Sequence, residues 1–501
     1  LRESEVLRAD KINESERALY ATDAFRQVII HTEPAGETAA GFKKHDVIID
    51  VEELKPREMG YGGGYSTDNG PLGFFDIRNL NMFGKLRQGA FRVRASRRQQ
   101  LVRLEYIDPR FTRYGTNQFA PLALSAQYQR DSTVTRFFRS TIDRGAFGIV
   151  QRLDAKGNPI DEFGQPAGEP TINRFTLNAE TQRTIDAKTQ SILFLRYSYE
   201  DVRLFNINSL LIASILRPDR AIRLSRLGAS FVRDTRNNQF ESKRGDFLTL
   251  NYSLALSQLG GNLSFHKFEA NYRRYYELKQ VRGTVLAANI TLGLATLFNP
   301  RDRNGNGVID DVDRTLPISE RFFSGGSTTL RGIGFEEAGP RVIVPECFLQ
   351  SPIPRGCGIF RNSKGDLVQL DPFTVPIGGN ALAVVNLEAR TPLTKAFQVT
   401  PFYDGGNVFR RVGDIFGHST SAEDDPNASL TDRINAHNLR ARWTHTIGLG
   451  LGFKTPVGGT LSIDYGWLLN PPDFLIPQAN GNPAIFRPHR GQINFRFTQA
   501  F

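Results

Sequence analysis

From about Met59 onward the chain alternates apolar residues with small or polar ones at a period of two. In "TIGLGLGFK", Ile447, Leu449, Leu451 and Phe453 fall on one side, and Gly448, Gly450, Gly452 and Lys454 on the other. "LSIDYGW" sets Leu461, Ile463, Tyr465 and Trp467 against Ser462, Asp464 and Gly466. "LTLNYSLAL" and "LAANITLGL" repeat the pattern. Side chains alternate across a strand, so each segment has one apolar, aromatic face and one polar, glycine-rich face. The fold class is therefore mainly β.

Two architectures accept such strands. In a soluble sandwich the apolar faces of two sheets meet. In a transmembrane antiparallel β-barrel they meet lipid, and the polar faces line the lumen. Three features favour the barrel. About sixteen such segments of near ten residues occur, which is the length that crosses a bilayer at a tilt and an even number that can close. The connections alternate between short ones, such as "TPLTK" and "TPVGG", and very long ones near 132–171, 298–377 and 410–441. The chain also ends in "INFRFTQAF", where Ile493, Phe495, Phe497 and Phe501 share a face, as suits a closing strand anchored at an interface. No run of about 18 apolar residues is present, so neither a spanning helix nor a secretory signal is indicated. The mean hydropathy of −0.34 is compatible with a barrel, because only alternate residues face lipid.

The first 56 residues differ. Val6, Leu7, Ile12, Leu19 and Tyr20 have helical spacing, and "FRQVIIHTEP" and "HDVIIDVEEL" read as two strands around a turn. Residues 1–56 are expected to form a partial α+β module. It opens on a helix without a first strand, as a piece of a longer chain would. Residues 57–501 are expected to form the barrel, with a long extracellular loop at about 298–377.

The net charge is +11, but the 63 Lys and Arg are scattered singly, which argues against nucleic acid and leaves attraction to anionic lipid headgroups, with an unspecific solvated surface as the alternative. Cys347 and Cys357 lie close together in a Pro/Gly-rich stretch of a chain with no other cysteine. One local disulfide in an oxidising compartment fits this, and two free thiols are the alternative. A zinc site would need more ligands. H-E-x-x-H, G-x-S-x-G and P-loop motifs are absent, so no enzyme is indicated.

Several stretches carry a resemblance. "FFSGGSTTLRGIGF" (322–335) resembles a loop motif in which an aromatic run and a Gly pair precede Val-Arg-Gly-aromatic, with Leu330 for the usual Val and Ile333 for the aromatic. "DTRNNQFESKRGDFL" (234–248) resembles an Asp-x-Arg…Arg-Gly turn, with Asp234, Arg236 and Gly245 at its key positions. "VVNLEARTPL", "FYDGGNVF", "GLGLGFKTPVGGTLSIDYG" and "FRFTQAF" resemble the family's later strands, in the same order. The chain thus resembles the BamA/TamA-type outer-membrane protein assembly superfamily, in which periplasmic POTRA modules precede a sixteen-strand barrel. The first 55 residues look like the last part of a POTRA module.

Strand parity places Asn386, Glu388 and Arg390 inside the barrel, opposite in facing to Val385 and Leu387. It likewise places Gln398, Thr400 and Asp404 inside, with Phe397, Val399 and Tyr403 facing lipid. A cation is the natural complement of two lumenal carboxylates on adjacent strands, and simple hydration is the alternative. The resemblance implies that the long loop folds inward and that Arg331, with Gly332 next to it, meets Glu388 and Asp404.

The seam between first and last strands is the second candidate site. "MGYGGGYST" carries Gly60, Gly62, Gly63 and Gly64, and such a strand packs poorly and holds its register weakly. Paired with the last strand, which carries Gly491, Phe495, Phe497 and Phe501, it would make an openable edge to which an incoming strand can add. Glycines that only relieve crowding are the alternative.

The third is "DRNGNGVIDDVD" (302–313), which matches a calcium loop: Asp302, Asn304 and Asn306 at positions 1, 3 and 5, the Val308 carbonyl at 7, and Asp313 at 12. Ca2+ is the one cofactor this pattern implies, with a turn-rich Asn-Gly loop that holds no metal as the alternative, and none is required. The resemblance implies insertion of client barrels in the bacterial outer membrane, with unfolded outer-membrane proteins, periplasmic chaperones, accessory lipoproteins and outer-membrane lipid as partners. A TamA-like or two-partner-secretion translocation pore and a plain outer-membrane channel are the alternatives.

Overall fold

The computed structural model describes residues 6–20, 25–37, 41, 43–114, 118–133, 135, 152–153, 159–160, 171–205, 221–239, 241–298, 300, 302, 307, 309, 311–350, 352–361, 367–369, 371–417, 425, 427–455, 460–478 and 482–500. An N-terminal module consists of α1 (Ala9–Tyr20) and the antiparallel pair β1 (Phe25–Glu37) and β2 (Lys43–Glu53). The helix starts later than the apolar spacing suggests. The Arg8 carbonyl accepts from the Lys11 and Ile12 amides, which sets the first turn there and leaves Val6 and Leu7 ahead of it. Tyr20 ties α1 to the sheet: its hydroxyl accepts from the Val28 amide at 3.0 Å and donates to the Val28 carbonyl at 3.4 Å.

Sixteen further strands close into one antiparallel barrel. They are β3 (Arg57–Ser66), β4 (Gly70–Met82), β5 (Arg87–Ser96), β6 (Gln99–Tyr114), β7 (Gln118–Asp131), β8 (Thr171–Asp186), β9 (Ser191–Phe205) and β10 (Ala221–Asp234). The second half is β11 (Gly245–Ala255), β12 (Phe265–Leu278), β13 (Thr284–Leu297), β14 (Ala381–Pro392), β15 (Phe397–Phe409), β16 (Thr444–Lys454), β17 (Thr460–Leu468) and β18 (Gly491–Ala500). Register decides between sandwich and barrel. Ile447 opposes Trp467, Leu449 opposes Tyr465 and Leu451 opposes Ile463, so their side chains form one outer stripe. Leu449 and Leu451 remain 49% and 52% exposed, with no second sheet over them among the described residues. Gly450 and Asp464 oppose each other on the inner face.

The described part of the connection between β13 and β14 turns back into the barrel. Its Leu316, Ile318, Phe322, Leu330 and Ile333 pack with Val202, Leu204, Leu224, Phe265 and Leu468 from the strands. The main apolar core therefore lies where this loop enters the lumen. Leu330 is fully buried and Ile333 nearly so. A short hairpin, Arg341–Val344 against Phe373–Pro376, extends the loop, and Cys347 and Cys357 form a disulfide beside it.

The barrel closes where β18 meets β3. That ladder holds five registered pairs, Gly62–Ser66 against Ala500–Arg496, whereas its neighbours hold eight (β17–β18) and ten (β3–β4).

Candidate functional site

The guanidinium of Arg331 forms a bidentate pair with Asp404. Its Nε donates to Oδ2 at 2.8 Å and its Nη2 to Oδ1 at 2.7 Å. The Arg331 backbone amide also donates to Oδ2, at 3.1 Å, and its Nη1 donates to Oε1 of Glu388 at 2.8 Å. The planar head lies over the Phe402 ring, 3.4 Å from its centroid. Asp404 is fully buried, so its charge has to be met by protein donors. Asn386 supplies a fourth, donating from Nδ2 to Oδ1 at 2.8 Å while also donating to the Thr329 carbonyl at 2.6 Å. Glu388 is shared: its second oxygen accepts from Arg390 at 2.8 Å. A planar fork matched to a carboxylate, with the remaining lone pairs filled, is the geometry in which a buried charge pair holds a loop in one place.

The small residues around Arg331 let it come this close. A Cβ on Gly332 would lie 2.5 Å from the Thr446 hydroxyl, and one on Gly466 would lie 2.7 Å from the Arg331 carbonyl oxygen. The glycine-rich inner faces of β16 and β17 are thus the floor on which the loop motif rests.

A second anchor, of opposite sign, has no counterpart in the sequence reading. Glu320 of the same loop is buried against the far wall. Its Oε1 accepts from Nη2 of Arg174 on β8 at 2.7 Å, and its Oε2 pairs with Nη2 of Arg226 on β10 at 2.6 Å. Glu200 on β9 pairs with both arginines. Burial pushes the Glu320 carboxyl up, but the fields of Arg174, Arg226 and Lys267 outweigh it and hold the group down at about 2. The available signal is an acid separated by one arginine from the aromatic pair in "ERFF". Alternation cannot select its partners, because it is a property of strands. The loop is therefore pinned by a cation at one wall and by an anion at the other.

At the seam, Gly62, Gly63 and Gly64 oppose Ala500, Gln499 and Thr498, and Tyr65 opposes Phe497. Tyr65 and Phe495 pack ring to ring at 5.8 Å. Gly60 opposes Asp76 on β4 and Gly491 opposes Trp467 on β17, so both stand outside the seam ladder. Phe501 lies outside the described residues.

The turn between β10 and β11 brings Asp234, Arg236 and Gly245 together. Arg236 donates to Asp234 from Nε at 2.8 Å and Nη2 at 2.7 Å, and its head lies 4.5 Å from the Phe247 ring centroid. Gly245 has φ +98°, and a Cβ there would strike the Thr235 carbonyl at 2.3 Å, so only glycine fits. In the 302–313 stretch, Asn304, Asn306 and Val308 lie outside the described residues. Asp302 accepts from the Gly307 amide at 2.7 Å, and Asp313 is fully buried.

Comparisons with known proteins agree with this geometry. The model of the Omp85 superfamily domain matches residues 81–501. A crystal structure of BamA from Haemophilus ducreyi lacking POTRA domains 1–3 superposes with a TM-score of 0.66 at 16% identity, over 100% of this chain and 80% of that one. The sorting and assembly machinery component 50 homolog of Bos taurus is 30% identical over 117 residues, 23% of this chain and 22% of that one. The match thus spans about a fifth of that curated relative's length.

Proposed function

The chain belongs to the Omp85 superfamily, and from that premise we propose that it folds and inserts client β-barrels into a bacterial outer membrane through the seam between β18 and β3. The observation that carries this reading is the five-pair ladder with three consecutive glycines on one strand. Glycine contributes no cross-strand packing and costs roughly 0.5–1 kcal/mol per position relative to alanine, so this ladder is the weakest point of a closed wall. A parted seam presents unpaired N–H and C=O groups, which an unfolded client strand can satisfy. The loop packed into the lumen argues against a plain open channel. On this reading the N-terminal module is the end of a periplasmic POTRA module. Chaperones and accessory lipoproteins act on the periplasmic side, and residues 302–313 hold calcium outside the cell.

The test is a disulfide across the seam, Gly63→Cys with Gln499→Cys, in liposomes supplied with a urea-unfolded client barrel. Insertion is expected to stop under oxidation and return on reduction. Insertion that continues with the staple formed removes the proposal.

A further inference from the structure

The seam ladder stops at a defined point. Ser66 opposes Arg496, the last registered pair at that end. One step on, Thr67 and Phe495 still exchange hydrogen bonds: the Thr67 amide donates to the Phe495 carbonyl at 3.0 Å, and the Phe495 amide to the Thr67 hydroxyl at 3.4 Å. Beyond them come Asp68, in the turn between β3 and β4, and Asn494 on β18. Both are buried, and both bond to the lumenal loop rather than to each other.

Each grips the Arg331 loop. Asp68 Oδ2 accepts from the Ser327 amide at 3.0 Å and from the Ser327 hydroxyl at 2.6 Å. Asn494 Nδ2 donates to the Arg331 carbonyl at 3.0 Å. Ser327 and Arg331 lie four residues apart in one loop that Asp404 and Glu388 already hold. Arg98 strengthens the first grip, donating to the Asp68 carbonyl while its head lies 5.7 Å from the Phe335 ring centroid.

We infer that residues 327–331 form a clasp across the seam, in which Asp68 and Asn494 position the first and last strands against a common loop. The inference rests on the seam being the working edge of the protein. Its physical basis is connectivity. Parting β3 from β18 requires either the Ser327–Asp68 bonds or the Arg331–Asn494 bond to break, because a loop fixed to β14 and β15 cannot follow both strands. The buried groups released would be left without partners, which makes the closed seam more stable than its five glycine-rich pairs alone would make it. The clasp also gives the loop a reason to move. A client or accessory factor that draws Ser327 or Arg331 away loosens the seam from inside, and an opening seam pulls on the loop.

The test is hydrogen–deuterium exchange on the full chain in lipid nanodiscs without a client. Asn494→Ala is expected to speed exchange of the Gly62–Ser66 and Arg496–Ala500 amides about tenfold, the loss of one buried hydrogen bond, and Asp68→Ala, which removes two, by more than that. The β12–β13 ladder should keep its wild-type rate. Asp68→Asn, which retains an acceptor oxygen, should remain near wild type. Should Asp68→Ala fail to fold, Ser327→Ala removes only the hydroxyl bond and is expected to give a smaller rise confined to the same amides. Seam amides that keep their wild-type rate in these variants, or that accelerate equally with the β12–β13 ladder, overturn the clasp. The measurement is independent of insertion. A seam that loosens in a protein that inserts no client removes the proposed function and leaves the clasp standing, whereas an inserting protein whose seam ignores these variants does the reverse.

Discussion

Arg331 and Asp404 are joined by three hydrogen bonds, two from the guanidinium and one from the backbone amide, inside a wall where Asp404 has no solvent exposure. The same carboxylate thus fixes the side chain and the main chain of one loop residue. It specifies where the loop lies as well as which charge it carries.

That arrangement ranks two substitutions. Asp404→Ala leaves Arg331 buried without its bidentate partner and is expected to cost about 3–5 kcal/mol. Glu388→Ala leaves the Asp404 fork intact and should cost about 1–2 kcal/mol. Urea unfolding in lipid, read by the gel shift between folded and heat-denatured barrel, measures both. Equal losses, or the reverse order, would show that Asp404 is not the principal anchor.

Strong acid should release the opposite anchor. The Glu320 carboxyl is held at about 2 against an ordinary value of 4.5. Because the folded value is the lower one, the stabilisation is complete above pH 4.5 and is lost as pH falls toward 2. Protease accessibility of residues 315–323 should rise across that window and stay flat in Glu320→Gln. A wild-type profile that matches the variant's removes the assignment.

Two glycines should respond differently to alanine. Gly245→Ala meets the Thr235 carbonyl at positive φ and is expected to destabilise by about 1–3 kcal/mol. Gly60 has open space around its Cβ position and an ordinary φ, so Gly60→Ala should change stability by less than about 1 kcal/mol. Thermal unfolding of the two variants side by side decides the matter.

If residues 302–313 hold calcium, about 1 mM Ca2+ should protect this stretch from proteolysis, and Asp302→Ala should abolish the protection. Cleavage that is indifferent to calcium in the wild-type protein would end that proposal.

Much of this architecture is legible in the chain itself. Alternation at period two identifies the strands, and the register of β16 and β17 realises it residue for residue. The same parity sets Asn386, Glu388 and Asp404 on inner faces, and the structure brings all three to the Arg331 loop. The start of α1 is less legible, because helical spacing continues into Val6 and Leu7, which the first hydrogen-bonded turn does not include. Glu320 is hidden for a different reason. It sits in a loop, where no periodicity ranks one polar residue above another.

Local alternation and segment length are enough to specify the strands, their inner and outer faces and the even count that lets them close. Contacts of the inward loop arise only in the folded barrel. Ser327 meets Asp68 across 259 residues, and Arg331 meets Asn494 across 163. Parity states that a side chain faces the lumen. It carries no information on the height at which a folded-back loop crosses it, which is set by barrel closure and by the fit of the Arg331 fork to Asp404.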